Sequence, residues 1–182
     1  MGIAIVAIIV VIVLLLIVLY NGLAGLRVRA DSAWSDIDVQ LKRRHDLIPN
    51  LVETVKGYAA HEKGTFENIA RYRSAAMSAT TVDEKAQAEG QLTQALRGLL
   101  AVAENYPQLR ASEEFTSLQN SLTQTEDAIQ NSRRYYNAVV RDLNTKIATF
   151  PSNIIAGMFN FQPRQFFQTE TAEDRATPVV KF

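Results

Sequence analysis

The sequence contains no cysteine, which excludes a disulfide framework, a thiolate zinc site, an iron–sulfur cluster and a cysteine nucleophile together. An excess of one charge sign is also missing, because 19 Lys and Arg residues balance 19 Asp and Glu residues. Without such an excess there is no overall field to draw the chain onto nucleic acid or an acidic substrate. We therefore expect no nucleic acid partner, and the 182 residues suit a single globular domain.

Catalytic signatures are absent as well. There is no G-x-S-x-G, no P-loop and no strand followed by a glycine-rich turn. The two histidines, His45 and His61, cannot build a di-iron bundle site, because Lys42 and Tyr58 stand three residues before them where glutamates are needed. His61 is followed by a glutamate, but the second histidine of a zinc-protease helix is missing. The sequence predicts a non-enzymatic protein with no catalytic residue, metal site, cofactor or small-molecule substrate.

Charge is missing from Met1 to Leu26, and Ile3 to Leu19 is an unbroken apolar run. A helix over residues 2–26 would be about 38 Å long, enough to cross a hydrocarbon core of about 30 Å. A cleaved secretory signal would carry a charged start, a shorter apolar core and a small-residue cleavage site. The pattern favours a membrane anchor over residues 1–26, represented by Ile3, Ile8, Val13, Leu19 and Tyr20.

Basic residues follow the apolar run closely, with Arg27 and Arg29 first. The positive-inside rule therefore predicts a single-pass protein of the inner (plasma) membrane with its domain in the cytoplasm. Gly22 and Gly25 are three residues apart, which does not match a tight transmembrane dimer motif. We interpret them as an adjustment of the backbone at the membrane interface beside Tyr20.

The rest of the chain shows helical periodicity and no strand-like alternation. Apolar spacing from Trp34 to Tyr72 predicts one long helix, with Pro49 either kinking it or removing one hydrogen bond. Thr81 and Glu84 form a capping box that starts a second helix, which ends before Pro107. Ser112 caps a third helix, which ends at Pro151 and carries the seven-residue row Phe115, Leu122, Ile129, Tyr136, Leu143 and Phe150.

Two features exceed what simple helix packing needs. Arg44, Glu62, Thr125 and Ser132 fall in the apolar rows, which favours a polar network between helices over a ligand-reading site. Residues 150–167 form a Phe-rich segment, which either folds back as a lid on the bundle or docks on a partner or lipid. Beyond it, residues 169–182 are predicted to be a polar tail.

Several stretches resemble the LemA family of bacterial membrane proteins over essentially the whole chain. They are YNGL at 20–23, AWSDIDVQLKRRHDLIPNLVETVKGYAAHE at 33–62, AENYPQLRASEEF at 103–115, RRYYNAVVRDLN at 133–144 and FPSN at 150–153. The second stretch is the most specific, because helical patterning alone does not generate a thirty-residue match containing DLIPNL.

The resemblance implies an all-α fold in which the anchor precedes an antiparallel, up-down four-helix bundle over residues 27–168. In the family the anchor helix is thought to run on into the first bundle helix. The residue patterns themselves predict three long helices and a short fourth helix from Ser152. The resemblance implies no enzyme activity, and its theme is scaffolding at membranes, since similar proteins are associated with zinc membrane proteases and with magnetosome membranes.

Two functional hypotheses follow. The first is a membrane-anchored scaffold or adaptor with coiled-coil-like helix packing, which forms a homo-oligomer or recruits a protein partner such as a membrane protease. Its predicted contact residues are Arg43, Arg44, Asp46, Pro49, Asn50, Phe159, Phe161, Phe166 and Phe167. The second is a membrane-remodelling or lipid-engaging structural protein in which the anchor and the Phe-rich segment both contact lipid.

Overall fold

The computed structural model describes residues 1–168, and this part of the chain is helical without a β-strand. The polar tail predicted for residues 169–182 lies outside the described residues. The helices are α1 (Gly2–Lys56), α2 (Lys63–Ser78), α3 (Val82–Glu104), α4 (Pro107–Arg110), α5 (Glu113–Ala148) and α6 (Ser152–Met158). The prediction of an all-α fold with an apolar helix at its start is confirmed, while the four-helix bundle stays a prediction.

Helix α1 is continuous from the apolar run into the domain. Gly22 and Gly25 both lie within regular helix, so the predicted adjustment of the backbone at this point is wrong. The ammonium end of Lys146 on α5 lies across Gly22, at a position from which this flexible side chain would have to shift to admit a Cβ atom.

The single long helix predicted from Trp34 to Tyr72 is also wrong, because the chain leaves the helix after Lys56 and re-enters one at Lys63. Gly57 follows the last helical residue and costs about 1 kcal/mol relative to alanine inside a helix. Ala59 is nevertheless buried in the core. In the sequence, the buried Ala59 therefore falls at a helical interval although the chain has already left the helix.

The predicted starts of the next two long helices are confirmed. The Thr81 hydroxyl accepts a hydrogen bond from the Glu84 backbone N–H, and the Glu84 carboxylate accepts one from the Thr81 backbone N–H. The same bonds to the Thr81 and Thr80 backbone lower the pKa of Glu84. Helix α5 begins after Ser112, whose hydroxyl accepts a bond from the Phe115 N–H. Local capping chemistry thus sets both starts.

The chain divides into two compact units. The first unit comprises Met1–Gln40 and Ala128–Phe166, and the second comprises Leu41–Asp127 with the segment that begins at Phe167. Helices α1 and α5 contribute residues to both. The core of the second unit draws on α1 to α5 and includes Ile48, Leu51, Val55, Phe66, Ile69, Leu92, Leu96, Leu99, Leu109, Phe115 and Leu122.

The seven-residue row on α5 is confirmed for its first five members, which are all buried. Phe150 is the exception, because α5 ends at Ala148 and the Phe150 side chain remains 79% exposed. The row therefore predicts the buried face only as far as the helix itself extends.

Candidate functional site

The apolar run of α1 is exposed from Ile3 to Val18. Its most apolar 18-residue stretch has a mean hydropathy of 3.7 and no buried residue, whereas the core helix of a soluble protein would be mostly buried. Ile3, Ile8 and Val13 are exposed, Tyr20 is 39% exposed and Leu19 is half-buried. Residues 3–19 thus form a candidate membrane span by length and composition.

Packing within the first unit begins before the predicted anchor boundary at residue 26. Leu23 is fully buried, and Ala30, Ala33 and Ile37 continue the same buried stripe along α1. The exposed apolar surface therefore gives way to protein contact within about one helical turn of Leu19.

A buried ion-pair network centred on Arg44 occupies the second unit. Arg44, which is 2% exposed, donates from Nη2 to Glu89 and from Nη1 to Thr93 Oγ1 at 2.9 Å and Glu126 Oε2 at 2.6 Å. One guanidinium therefore joins α1 to α3 and α5. A planar fork of donors suits this task, whereas a lysine would offer a single charged point.

His45 extends the Arg44 network. Its Nε2 atom lies 2.8 Å from Glu89 Oε1, so the two oxygens of Glu89 are taken by neighbouring residues of one helix turn. To donate to Glu89, the ring must carry a proton on Nε2. Burial alone would raise the pKa of Glu89, but the hydrogen bond to His45 and the charge of Arg44 outweigh it, and that pKa is lowered.

Pro49 shapes the same region through the backbone. A proline has no N–H, so the carbonyl four residues before it, that of His45, loses its partner in the helix. Arg73 of α2 donates from Nε to this carbonyl at 2.9 Å. The interpretation of Pro49 as the local loss of one hydrogen bond is therefore supported, and the freed acceptor is used to join α1 to α2.

The predicted contact residues on α1 include one buried residue and four exposed ones. Arg44 is wrong as a surface residue, because its side chain is buried and paired with two carboxylates. Arg43, Asp46, Pro49 and Asn50 are exposed. Positions 43, 46 and 50 are three and four residues apart and so share one side of the helix. Of the other polar positions, Thr125 is buried, while Glu62 and Ser132 are half-buried.

The Phe-rich segment is likewise split. Phe161 and Phe167 are buried, which corrects their assignment as contact residues, while Phe166 is half-buried and stays a prediction. Phe159 is 56% exposed. Its ring contacts that of Tyr20 edge-on at a centroid distance of 4.8 Å, and the Phe161 ring contacts Tyr20 at 5.8 Å.

Asn160 makes this double contact with Tyr20 possible. It has a φ of 54°, in the left-handed region that asparagine tolerates better than other non-glycine residues. The turn lets the Phe161 N–H bond to the Ala156 carbonyl at 2.9 Å. This is the pattern that ends many helices, and here it reverses the chain between two aromatic rings.

The rest of the segment is tied to α5 within the first unit. Asn144 accepts from the Arg164 backbone N–H and donates to its carbonyl, both at 2.8 Å. The Tyr136 hydroxyl donates to the Gln165 carbonyl at 3.0 Å, and Arg164 pairs with Asp31 of α1. Burial raises the pKa of Tyr136, opposed by Arg164 and supported by Asp31. The interpretation of this part as a lid that folds back is supported.

Sequence reasoning missed the members of the Arg44 network other than Arg44 itself. Glu89 carried a usable signal, because it stands three and seven residues before Leu92 and Leu96 in the buried row of α3. His45 carried the same kind of signal, because it stands four residues after Leu41 and three before Ile48 in the buried row of α1.

The network is one of paired charges, with Arg44 bonded to both Glu89 and Glu126. One oxygen of the Glu89 carboxylate bonds to Arg44, and the other lies beside His45 Nε2. Within residues 1–168, no three His, Asp or Glu side chains converge on a position that would hold a metal ion. The geometry is that of a connector between helices.

Comparison with known proteins gives a consistent result. The LemA family profile matches residues 33–182. Magnetosome protein MamQ 2 of Paramagnetospirillum magneticum is 25% identical over 88% of this chain and 68% of its own length. Magnetosome protein MamQ of Magnetospirillum gryphiswaldense is 24% identical over the same shares. Protein LemA of Metamycoplasma hominis is 30% identical over 78% of this chain and 65% of its own length.

Proposed function

Since the chain belongs to the LemA family, we propose that it is a non-enzymatic scaffold or adaptor anchored in a membrane. The observation that carries the proposal is the continuity of α1, which runs from the exposed apolar residues to Lys56 without a break. The helix that carries the candidate anchor therefore also carries exposed polar residues, as an adaptor held at a membrane requires.

The proposed location is the inner membrane, with the domain in the cytoplasm, on the strength of Arg27 and Arg29 directly after the span. The absence of cysteine makes the test direct. A single Gln130→Cys variant places a thiol on an exposed position of α5. A membrane-impermeant maleimide should label it only after the cells are broken, and labelling of intact cells would place the domain on the other side.

The proposed partner surface is the exposed side of α1 formed by Arg43, Asp46 and Asn50. These polar side chains project from a helix whose opposite side is already occupied by Arg44 and the apolar core. Their exposure leaves them accessible to a partner. Pro49 lies among them and is exposed, so its ring is part of the same surface.

Charge reversal tests this surface. Full-length protein is crosslinked in its native membrane, recovered and analysed by mass spectrometry, as wild type and as the Arg43→Glu variant. Arg97→Glu is the matched control, because Arg97 is an exposed arginine on α3 of the same unit. We expect Arg43→Glu to lose the partner and Arg97→Glu to retain it. Equal recovery from all three proteins would remove the surface from the proposal.

The proposed partner is a membrane protein. It is either a membrane protease or a second copy of this chain. One dominant foreign protein among the products would support the adaptor form. Recovery of the chain alone, at the mass of a homo-oligomer, would support the self-associating scaffold. Relatives named as magnetosome proteins fit either form.

A second proposed function is that of a lipid-engaging or membrane-remodelling structural protein. The specific observation in its favour is that apolar side chains around α6 remain exposed beside Tyr20 at the end of the span. Purified full-length protein reconstituted in vesicles would change vesicle size or curvature if it remodels membranes. An unchanged vesicle population in electron micrographs would argue against that activity.

A further inference from the structure

Four large apolar side chains surround α6 without being covered by the fold. Phe150 is 79% exposed, Met158 68%, Phe159 56% and Ile154 54%, and we call these four residues the α6 patch. Ile154 and Met158 are four residues apart and share one side of the short helix. Its other side is occupied, because Ile155 and Ala156 are buried.

The position of the α6 patch relative to the span is given by ring contacts. The Phe159 ring lies 4.8 Å from that of Tyr20, the residue directly after the apolar run. From Ile3 to Tyr20 the helix rises about 26 Å, close to the hydrocarbon thickness of about 30 Å. If the run spans the bilayer, Tyr20 lies at the boundary between acyl chains and headgroups, where tyrosine is enriched. Phe159 lies at the same depth.

The charge pattern agrees with this depth. No charged residue occurs between Lys146 and Arg164. The turn before α6, α6 itself and the residues directly after it therefore carry no charged side chain that would be costly to place in lipid. The ammonium end of Lys146 lies against Gly22, two residues beyond Tyr20. A lysine at this level can keep its ammonium among the headgroups while its stem lies along apolar surface.

We infer that the α6 patch is a second membrane contact, inserted at the headgroup and acyl boundary of the leaflet from which the domain emerges. Short apolar elements of this kind bury about 5–10 Å into that boundary. The occupant of the patch is therefore the lipid bilayer that holds the anchor, and the contact fixes the first unit against the membrane at two points. This inference rests on the proposed anchoring of α1.

Spin labelling of the full chain tests the inference, and the absence of cysteine leaves each label unique. Single variants Ile154→Cys and Met158→Cys carry a nitroxide in the patch. Val13→Cys reports the span, and Gln130→Cys is the aqueous control on α5 of the same unit. Each protein is reconstituted in vesicles of phosphatidylcholine and phosphatidylglycerol. Collision rates with molecular oxygen, which partitions into lipid, and with a polar nickel chelate are then measured by electron paramagnetic resonance.

We expect the ratio of oxygen to nickel collisions at positions 154 and 158 to be several-fold above that at 130 and below that at 13. Ratios at 154 and 158 equal to that at 130 would place the patch in water and overturn the inference. Low collision rates with both reagents would show a protein partner, such as a second copy, and would also overturn it. A water-like ratio at position 13 would instead contradict the anchoring itself, so the two failures are distinguishable.

Discussion

The two units depart from the pattern of a soluble globular domain in opposite ways. The first unit leaves large apolar side chains exposed, from the run on α1 to Phe150 and Phe159. The second unit buries charge, with Arg44 and Glu89 each at most 3% exposed. Among the described residues the exposed apolar side chains of the first unit lack cover, whereas the buried charges of the second unit are paired with one another. This contrast separates surfaces that require an environment from residues that merely hold helices together.

The largest effect is expected from breaking the Arg44 network. Arg44→Ala leaves Glu89 buried without its cation, and breaking one member of a buried ion pair typically costs about 3–5 kcal/mol. The matched control is Arg43→Ala, whose exposed neighbouring side chain should change the free energy of unfolding by less than about 0.5 kcal/mol. Urea unfolding of the full chain in detergent micelles, followed by circular dichroism, measures both. Similar losses for the two variants would mean that the network does not hold the second unit together.

The dependence of stability on pH tests the pairing of Glu89 within the Arg44 network. Because the pKa of Glu89 is lowered in the folded protein, its contribution is fully present above the ordinary glutamate pKa of about 4.3. That contribution is lost as the pH falls through the lower folded pKa. Glu89→Gln should be less stable at pH 7 and lose less stability on acidification, whereas Glu67→Gln, at an exposed site on α2, should follow the wild type. Parallel curves for all three proteins would contradict the assigned pairing.

The link between Pro49 and Arg73 predicts a measurable coupling. Arg73→Ala leaves the His45 carbonyl without a partner and should cost about 1–2 kcal/mol. Pro49→Ala supplies a backbone N–H for that carbonyl, so the cost of Arg73→Ala should be smaller in the Pro49→Ala background. A double-mutant cycle on unfolding free energies measures the difference. Additive effects would show that Arg73 does not replace the bond that Pro49 removes.

The last prediction concerns the first unit and the stability of the turn that places Phe159 and Phe161 against Tyr20. A β-branched side chain is disfavoured at positive φ, so Asn160→Val should cost about 1–2 kcal/mol. Asn160→Gly is the control and should be neutral or slightly stabilising, because glycine adopts this conformation freely. Thermal unfolding of both variants in micelles tests the turn. Equal stability of the valine and glycine variants would contradict a left-handed residue at this position.

Much of the helical framework could be predicted because its signals are local. The capping box at Thr81 and the cap at Ser112 depend on residues three apart, and prolines mark the ends of α3 and α5. The break after Lys56 was not predictable from spacing, since Ala59 and Phe66 keep apolar residues coming at helical intervals. The chain leaves the helix at Gly57, a residue type that costs about 1 kcal/mol relative to alanine inside a helix.

The candidate sites were less predictable, because burial of a polar residue depends on what other helices supply. Arg44 lies in an apolar row, but an arginine is usually exposed, and only Glu89 and Glu126 from two other helices make its burial tolerable. Within the Phe-rich segment the residue type did not indicate which phenylalanines would be buried. Phe161 is buried and Phe159 exposed because a single left-handed residue between them turns the chain.

Site-specific photocrosslinking can show whether the exposed side of α1 beyond the anchor contacts a partner, as we propose. A benzophenone amino acid replaces Asn50 in the full chain, and Glu67, exposed on α2 of the same unit, is replaced as the control. After irradiation of native membranes, we expect a discrete crosslinked product from position 50 and none from position 67. No product from position 50, or the same products from both positions, would rule out this surface.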